Sequence, residues 1–384
     1  MGVRGRVAEG WGSLADALDE VVTGDAGDAS WVSVYHDGVL VADICAGGVQ
    51  GRAVEPSALV RVASCSKGVT ATTLARLIER GLVDADELVA DHWPDYGQNG
   101  KEGTTLAMVA SHRAGIPYPA PGSGLEGIEY FTSPKLMEVL AAQRPLWEPG
   151  SVVAYHPATA GAILDEFVRR AIGTDISRAL AEEIVQPLGL RMWLGLPMSE
   201  FGHVRPGSWE VETAPSSEPA SEFALWRQRA LAEAPPFEPD FDDPDMARRY
   251  YAASMPGVGV VTDAHSLARM YAATVGPVDG IRLMSHSTRK ALTRDLTVGL
   301  PRPAESGTAG PDLAFGFGYQ LPTSSMPGLT AMSFGHTGAG GRLGLADPDL
   351  GVGFAYTTLR MKNIGPGGDP RWRVLMDVVR SLAG

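Results

Sequence analysis

Runs of residues typical of β-strands lie near both ends of the chain, and the long middle part has helical patterns. Near the amino end, residues 31–35 and 39–44 flank an Asp37-Gly38 turn, which predicts a β-hairpin. From residue 315 onward, about four glycine-rich segments alternate with period two, which predicts further strands. We therefore predict an α+β fold in which one antiparallel sheet is built from both termini and is flanked by helices, with a mainly helical subdomain from the middle.

The chain has 384 residues, which is enough for one large domain or two interleaved subdomains. We expect a single domain over residues 1–384, with an α/β subdomain at roughly 10–80 and 255–384 and a helical subdomain at roughly 81–254. Within the latter, residues 198–249 are rich in proline and acidic residues but also carry several aromatic residues. A pure linker has few aromatics, so we predict an insertion that folds near a substrate entrance.

Charge and composition exclude several classes of partner. The formal net charge is -13 and no basic cluster offsets it, which disfavours nucleic acid and anionic membrane surfaces. The first twenty residues have no apolar core of signal-peptide length, so we expect a cytoplasmic protein without a spanning helix. The histidines and the two cysteines, Cys45 and Cys65, lack ligand spacing, so we predict no metal site and no cofactor. Nothing in the sequence indicates the oligomeric state.

Ser64 and Lys67 lie three residues apart at the start of an almost polar-free helical stretch that ends at Gly81. Such a helix is buried, and the spacing puts both side chains on one face. A lysine that is partly desolvated can lose its proton near neutral pH and then accept the proton of a serine. The same spacing arises by chance, and Ser64 or Ser66 could simply cap the helix. We expect Cys65 to be a packing residue.

Two further side chains are candidates for proton transfer. Tyr155 follows a turn signal at residues 147–150 and precedes a helix predicted over 158–171, so it could point into a cleft or be an ordinary half-buried tyrosine. His112 ends a helix predicted from residue 104, where a histidine acts as a base or bonds to neighbouring backbone.

Three short motifs follow one another along the chain. They are Ser64-Cys65-Ser66-Lys67, then Tyr155-His156-Pro157, then His336-Thr337-Gly338-Ala339-Gly340-Gly341. Together they resemble the serine β-lactamase and penicillin-binding-protein superfamily, in the class C-like branch that includes family VIII carboxylesterases and related acyltransferases. Segments 111–117, 147–150 and 351–356 are similar to that branch too, so the resemblance spans roughly residues 10–382.

The resemblance implies a role for each motif. Ser64 would be the acylated nucleophile, Lys67 its base partner, and Tyr155 a proton shuttle whose phenolate form is favoured by the lysine charge. The backbone N–H groups of Ser64 and Ala339 would form the oxyanion hole. The implied substrate-binding residues are His156, His336, Thr337 and Gly338. Whether Lys67 or Tyr155 is the principal base stays open.

Two motif positions differ from most lactamases and change the expected substrate. Pro157 replaces an asparagine and so removes a side-chain amide, while His336 replaces a lysine and is mostly neutral at pH 7. Both changes disfavour an anionic β-lactam. The resemblance therefore implies a carboxylesterase that acts on small or medium neutral esters. The alternatives are an acyltransferase with an alcohol or amine acceptor, a β-lactamase or D-amino peptidase, and a non-catalytic binding protein.

Overall fold

The computed structural model describes residues 2–24, 28–125, 127–129, 134–210, 221–233, 243–303, 312–362 and 369–384. Of the predicted insertion at 198–249, residues 211–220 and 234–242 lie outside this set. The other residues of the insertion include two helices, and Phe223 in the first of them packs on Trp147 with ring centres 5.6 Å apart.

Of the fourteen strands in the described residues, eleven lie near the two ends of the chain and three lie in its middle. In order, they are β1 (Arg4–Val7), β2 (Ala29–His36), β3 (Val39–Val49), β4 (Arg52–Ala53), β5 (Val60–Arg61), β6 (Met192–Leu194), β7 (Ser208–Trp209), β8 (Val260–Thr262), β9 (Ala314–Phe315), β10 (Gln320–Leu321), β11 (Phe334–Gly338), β12 (Arg342–Asp347), β13 (Val352–Thr358) and β14 (Arg360–Met361).

The α-helices occupy mainly the middle of the chain. In order, they are α1 (Gly12–Thr23), α2 (Cys65–Glu79), α3 (Val89–His92), α4 (Leu106–Ala110), α5 (Pro134–Ala142), α6 (Thr159–Ile172), α7 (Ile176–Leu180), α8 (Gln186–Leu188), α9 (Glu222–Glu233), α10 (Pro244–Ala252), α11 (Ala264–Val275), α12 (His286–Leu292) and α13 (Pro370–Ala383). A π-helical segment, Ala181–Val185, joins α7 to α8, and 3₁₀ turns lie at Pro94–Tyr96 and Met198–His203.

One antiparallel sheet contains nine of the described strands, in the order β1-β3-β2-β13-β12-β11-β10-β9, with β4 beside β3. The two ends of the chain meet at its centre, where Val34 of β2 lies opposite Phe354 of β13. The β2–β3 hairpin turns through Asp37 and Gly38, both with positive φ, as a type I′ turn requires. The sheet confirms the predicted α+β class and its construction from both termini.

Helices cover both faces of this sheet. On one face, α1 and α13 bury a cluster that includes Leu18, Val34 and Trp372. On the other face, α11 approaches β13 so closely that a methyl group at Gly353 would lie 2.5 Å from the carbonyl oxygen of Ala268. Because β13 is covered on both sides, all of its residues are buried.

Helix α2 lies between the sheet and the helical part of the chain. Its residues are buried from Cys65 through Ala75, as its apolar sequence predicts. A small antiparallel sheet, β5-β8-β6, leads into this helix, and Val62 donates its amide to the carbonyl of Val260. This second sheet is not evident from the sequence, because its strands have only two or three residues each.

Candidate active site

Ser64 sits at the amino end of α2, on a sharply turned piece of backbone. The preceding residue, Ala63, has φ +52°, a left-handed conformation that is uncommon for a residue with a side chain. The Ser64 hydroxyl makes no capping bond to the helix, and Ser64 is partly exposed in an otherwise buried run. The hydroxyl is therefore free for another partner, so the capping interpretation does not apply to Ser64.

Ser66 and Cys65 have structural contacts instead. The Ser66 hydroxyl donates to Ala63 O over 2.5 Å and accepts the amide of Val260. Cys65 is fully buried and its thiol donates to His336 O over 3.2 Å, which ties α2 to β11. Burial raises the pKa of this thiol to about 12, so it is not a thiolate at neutral pH. Cys65 is thus a packing residue, as expected.

Lys67 lies one turn after Ser64 and is enclosed by backbone carbonyls. Its Nζ donates to Pro157 O over 2.7 Å and to Gly257 O over 2.8 Å, and lies 3.5 Å from the Ser64 Oγ. No carboxylate among the described residues forms an ion pair with it. Burial without a compensating anion lowers the pKa of Lys67 to about 7.

These contacts match the hydrogen-bonding capacity of a neutral amine. A neutral amine has two N–H donors and one lone pair, and the oxygens of Pro157 and Gly257 use the two donors. The lone pair is then left for the hydroxyl proton of Ser64. The 3.5 Å separation is long for a hydrogen bond, as is common before substrate binds.

Tyr155 lies beside both the Lys67 amine and the His112 ring. Its ring centre is 4.8 Å from Lys67 Nζ and 4.7 Å from the centre of the His112 ring. Burial strongly raises the pKa of the Tyr155 phenol, and a hydrogen bond with the Ser64 side chain opposes this only in part. The expectation that Lys67 favours the phenolate is therefore wrong, because desolvation dominates and a lysine with a lowered pKa has little charge to offer above pH 7.

His112 and His156 form a buried pair behind Tyr155. His112 has φ +63°, and its Nδ1 accepts the amide of His156. His156 Nε2 accepts the amide of Ile116 over 3.1 Å, and its Nδ1 donates to Ala154 O. Both ring nitrogens of His156 are thus used by backbone and the residue is fully buried. The geometry contradicts the expected substrate-binding role of His156, which instead holds the Tyr155 segment.

The third motif lies on β11, next to the start of α2. His336 is buried, with its ring centre 6.0 Å from that of Tyr155, and its Nδ1 donates to Thr337 O over 2.7 Å. Burial, followed by the charge of Lys67, lowers the pKa of His336 to about 3, so its ring is neutral. Thr337 donates its amide and its hydroxyl to Gln320 Oε1, over 2.9 and 2.8 Å.

Close approach of β11 to the Ser64 turn depends on glycine. A methyl group at Gly338 would lie 2.5 Å from Val62 O and 3.0 Å from the Cys65 sulfur. Ala339 follows directly and is half-buried in the turn between β11 and β12. In the described part of the chain, neither the Ser64 nor the Ala339 amide donates to another backbone group. Both are therefore available as donors to a developing oxyanion.

Three contributors to this site were missed in the sequence analysis: Pro157 O, Gly257 O and Gln320. The first two act through their backbone carbonyl groups, which every residue type possesses, so no residue signal marks them. Gln320 belongs to β10, which pairs with β11, and a polar residue on a strand beside the third motif was the available signal.

The residues that the structure describes contain neither a metal-binding cluster of side chains nor a membrane-spanning helix. Within the ranges given above, no three His, Cys, Asp or Glu side chains form a metal-binding group. The helices of those ranges are too short or too polar to cross a bilayer.

Comparison with known proteins supports the same fold and family. The beta-lactamase family model matches residues 14–376. The Mycobacterium tuberculosis protein named esterase/beta-lactamase LipL is 30% identical over 351 residues, which cover 86% of this chain and 76% of that protein. The structure of EstA from Arthrobacter nitroguajacolicus superposes with a TM-score of 0.85 and 28% identity, covering 100% of this chain and 99% of EstA.

A crystal structure of a family VIII carboxylesterase also superposes with a TM-score of 0.85, at 27% identity and over 100% of both chains. A family match along nearly the whole length, joined to the Ser64, Lys67 and Tyr155 cluster, decides the classification. The chain belongs to the beta-lactamase family, within the serine β-lactamase and penicillin-binding-protein superfamily, and is a serine hydrolase of that fold.

Proposed function

We propose that this protein is a carboxylesterase that forms an acyl-enzyme on Ser64 and acts on small or medium neutral esters. The observation that carries the proposal is the environment of Lys67: two carbonyl oxygens take its N–H bonds, its pKa is lowered to about 7, and its Nζ lies 3.5 Å from the Ser64 Oγ. A buried amine in this setting is a base for the serine at neutral pH.

In the proposed reaction, the Ser64 Oγ attacks the ester carbonyl carbon while its proton moves to Lys67 Nζ. The amides of Ser64 and Ala339 stabilise the negative oxygen of the tetrahedral intermediate. The C–O bond to the alcohol then breaks, and Tyr155 delivers a proton to the departing alkoxide and recovers one from Lys67. Water repeats the sequence on the acyl-enzyme, releasing the carboxylic acid and the free serine.

The preference for neutral esters rests on the third motif. His336 carries no charge at neutral pH because burial lowers its pKa to about 3. Tyr155, Phe315 and His336 form an aromatic cluster with ring centres 6.0 to 6.2 Å apart. An uncharged aromatic cluster beside the nucleophile suits an apolar acyl or alcohol group better than a carboxylate. The names of LipL and of the family VIII carboxylesterase agree with esterase chemistry.

The test is the intact mass of the protein after incubation with p-nitrophenyl acetate and p-nitrophenyl butyrate. Wild type should gain the mass of one acyl group, and Ser64→Ala should gain none. Cys65→Ala is the matched control, since a thiol beside Ser64 is the other group that could be acylated; this variant should still form the adduct. An adduct that persists in Ser64→Ala would contradict the proposal.

The fate of the adduct separates the alternatives. Loss of the acyl group in water alone fits an esterase. Loss that requires an added alcohol or amine would instead assign an acyltransferase. The same assay with a chromogenic cephalosporin tests β-lactam hydrolysis, for which we expect turnover far below that of the esters. Neither an adduct nor release of nitrophenol with any of these esters would leave a binding protein that has kept the fold.

A further inference from the structure

The turn that carries Ala339 is held at three consecutive carbonyl groups. Gly341 donates its amide to Gly338 O over 3.2 Å. Arg342 Nη1 donates to Ala339 O over 3.2 Å, and Arg371 Nη2 donates to Gly340 O over 3.0 Å. Two buried guanidinium groups therefore fix the segment in which the predicted oxyanion-hole amide lies.

Arg371 reaches this turn from the first turn of α13 and is anchored by two buried carboxylates. Its Nη1 lies 3.0 Å from Asp28 Oδ2, and its Nη2 lies 2.6 Å from Asp369 Oδ2. The three side chains are 7%, 0% and 1% exposed, respectively. Charge-assisted bonds of this kind are short and directional, especially for a guanidinium fork.

The anchors come from distant parts of the chain. Asp28 precedes β2 and also accepts from Thr358 at the end of β13, while Asp369 caps α13 by accepting the Arg371 amide. One guanidinium group thus joins the central strands, the closing helix and the turn after β11. Gly341 has φ +106°, and a methyl group there would overlap the Asp369 carboxylate, so the turn and the anchor fit each other closely.

We propose that Arg371 is a positioning residue for the oxyanion hole: by holding Gly340 O, it fixes the direction of the Ala339 N–H. The inference rests on the proposed Ser64 acyl-enzyme chemistry. The Gly338 C=O and the Ala339 N–H belong to one planar trans peptide, in which they point in opposite directions. The hydrogen bond from Gly341 N to Gly338 O therefore also sets the direction of the Ala339 N–H. That bond depends on the path of residues 340 and 341, which Arg371 and Asp369 hold.

A donor that is fixed before the reaction needs no reorganisation when charge develops. Loosening this donor therefore weakens binding of the transition state more than binding of the substrate, so kcat falls while KM changes little. Arg371→Lys keeps a buried cation for Asp28 and Asp369 but loses the fork. We expect it to lower kcat about tenfold or more with KM within about twofold, given the roughly 10²–10³-fold cost of losing one oxyanion donor outright.

A second variant covers the case in which Arg371→Lys does not fold. Asp369→Asn keeps an oxygen for the helix cap but removes the charge that holds Nη2, and should lower kcat by a smaller factor in the same direction. For both variants, the affinity of an arylboronic acid, which forms a tetrahedral adduct with the Ser64 oxygen, should fall by about the same factor as kcat/KM.

Val379→Ala is the matched control. Val379 lies on the same helix, eight residues after Arg371, and is fully buried. It should lower the melting temperature while leaving kcat and boronic acid affinity near wild type, at a temperature where all variants are folded. If Arg371→Lys and Asp369→Asn lose no more kcat than Val379→Ala, Arg371 is only structural and the inference is overturned. If wild type neither forms an acyl adduct nor releases nitrophenol, the proposed function fails, and this inference fails with it.

Discussion

Lys67 Nζ lies 4.8 Å from the centre of the Tyr155 ring, and burial favours the neutral form of both groups. Desolvation lowers the pKa of Lys67 to about 7 and raises that of Tyr155. Both shifts favour an amine and a phenol over an ammonium and a phenolate. Environments that separate the pKa values of neighbouring groups indicate their roles, and this separation agrees with the proposal that Lys67 accepts the Ser64 proton and Tyr155 relays it.

The first prediction concerns the pH dependence of wild type. Below a pH of about 7, Lys67 is protonated and has no lone pair for the Ser64 proton. We expect kcat/KM for a neutral ester to fall as the pH decreases through about 7 and to level off above it. Steady-state kinetics from pH 5 to 9 measure this fall in kcat/KM, which is the acidic limb of the pH profile. A flat profile across that range would show that Lys67 is not the base.

The second prediction separates the roles of Tyr155 and Lys67. Tyr155→Phe should lower kcat on the order of 10²-fold, because proton transfer through the phenol is lost. The limb near pH 7 should remain, since it belongs to Lys67. A limb that vanishes with Tyr155 would instead make the tyrosine the titrating base.

Tyr96→Phe is a suitable control for this experiment. Tyr96 is fully buried and packs on Trp93, with ring centres 5.3 Å apart, in the helical part of the chain. Removing its hydroxyl should change the melting temperature without changing either kcat or the pH profile.

The third prediction tests the close approach of β11 to the nucleophile. In Gly338→Ala, the new methyl group would lie 2.5 Å from Val62 O, so the strand must move away from the Ser64 turn. We expect kcat/KM to fall on the order of 10²-fold, comparable with the loss of an oxyanion donor. Circular dichroism should show a retained fold.

Gly276→Ala gives the matched comparison, because a methyl group there meets none of the described atoms within 4 Å and Gly276 has an ordinary φ of -137°. It should leave kcat/KM within about twofold of wild type. Equal activity of the two alanine variants would mean that β11 does not contribute to the reaction.

The fourth prediction concerns His336. In His336→Lys, a cation would replace a neutral ring close to Lys67 and the aromatic cluster. We expect KM for a carboxylate-bearing ester to fall relative to that for a matched neutral ester, and the acidic limb to move to lower pH because like charges lower the pKa of Lys67. The melting temperature should fall, since the new charge is buried without a partner.

His336→Gln is the neutral control and should alter neither the ratio of the two KM values nor the pH at which the acidic limb falls. If His336→Lys behaves like His336→Gln in both measurements, residue 336 does not face the substrate.

Local patterns in the sequence were sufficient for much of the architecture. The Asp37-Gly38 turn predicted the first hairpin, and the apolar run after Ser64 predicted a buried helix, since each depends on residues close together in the chain. The Asp263 side chain caps α11 by accepting the amide of Ser266, which is again a contact between residues close together in the chain. The short strands β5, β6 and β8 were not predicted, because two or three residues carry no usable periodicity.

The protonation states were beyond the reach of the sequence. The resemblance led to an expected phenolate at Tyr155 and a substrate contact at His156. Desolvation reverses the first, and hydrogen bonds between His156 and the backbone of Ile116 and Ala154 exclude the second. Desolvation and satisfied ring nitrogens depend on every segment that surrounds a group, so neither follows from its neighbours in the chain.

The sequence by itself determined the chemical groups, Ser64, Lys67 and Tyr155, and the order of elements that carry them. Only the tertiary structure decided how these groups are set for reaction. The carbonyls of Pro157 and Gly257 that hold Lys67, and the Arg371 guanidinium that holds Gly340, come from segments 90, 190 and 31 residues away from their partners. Backbone carbonyls are the same in every residue, so their role arises from position in space, which folding alone specifies.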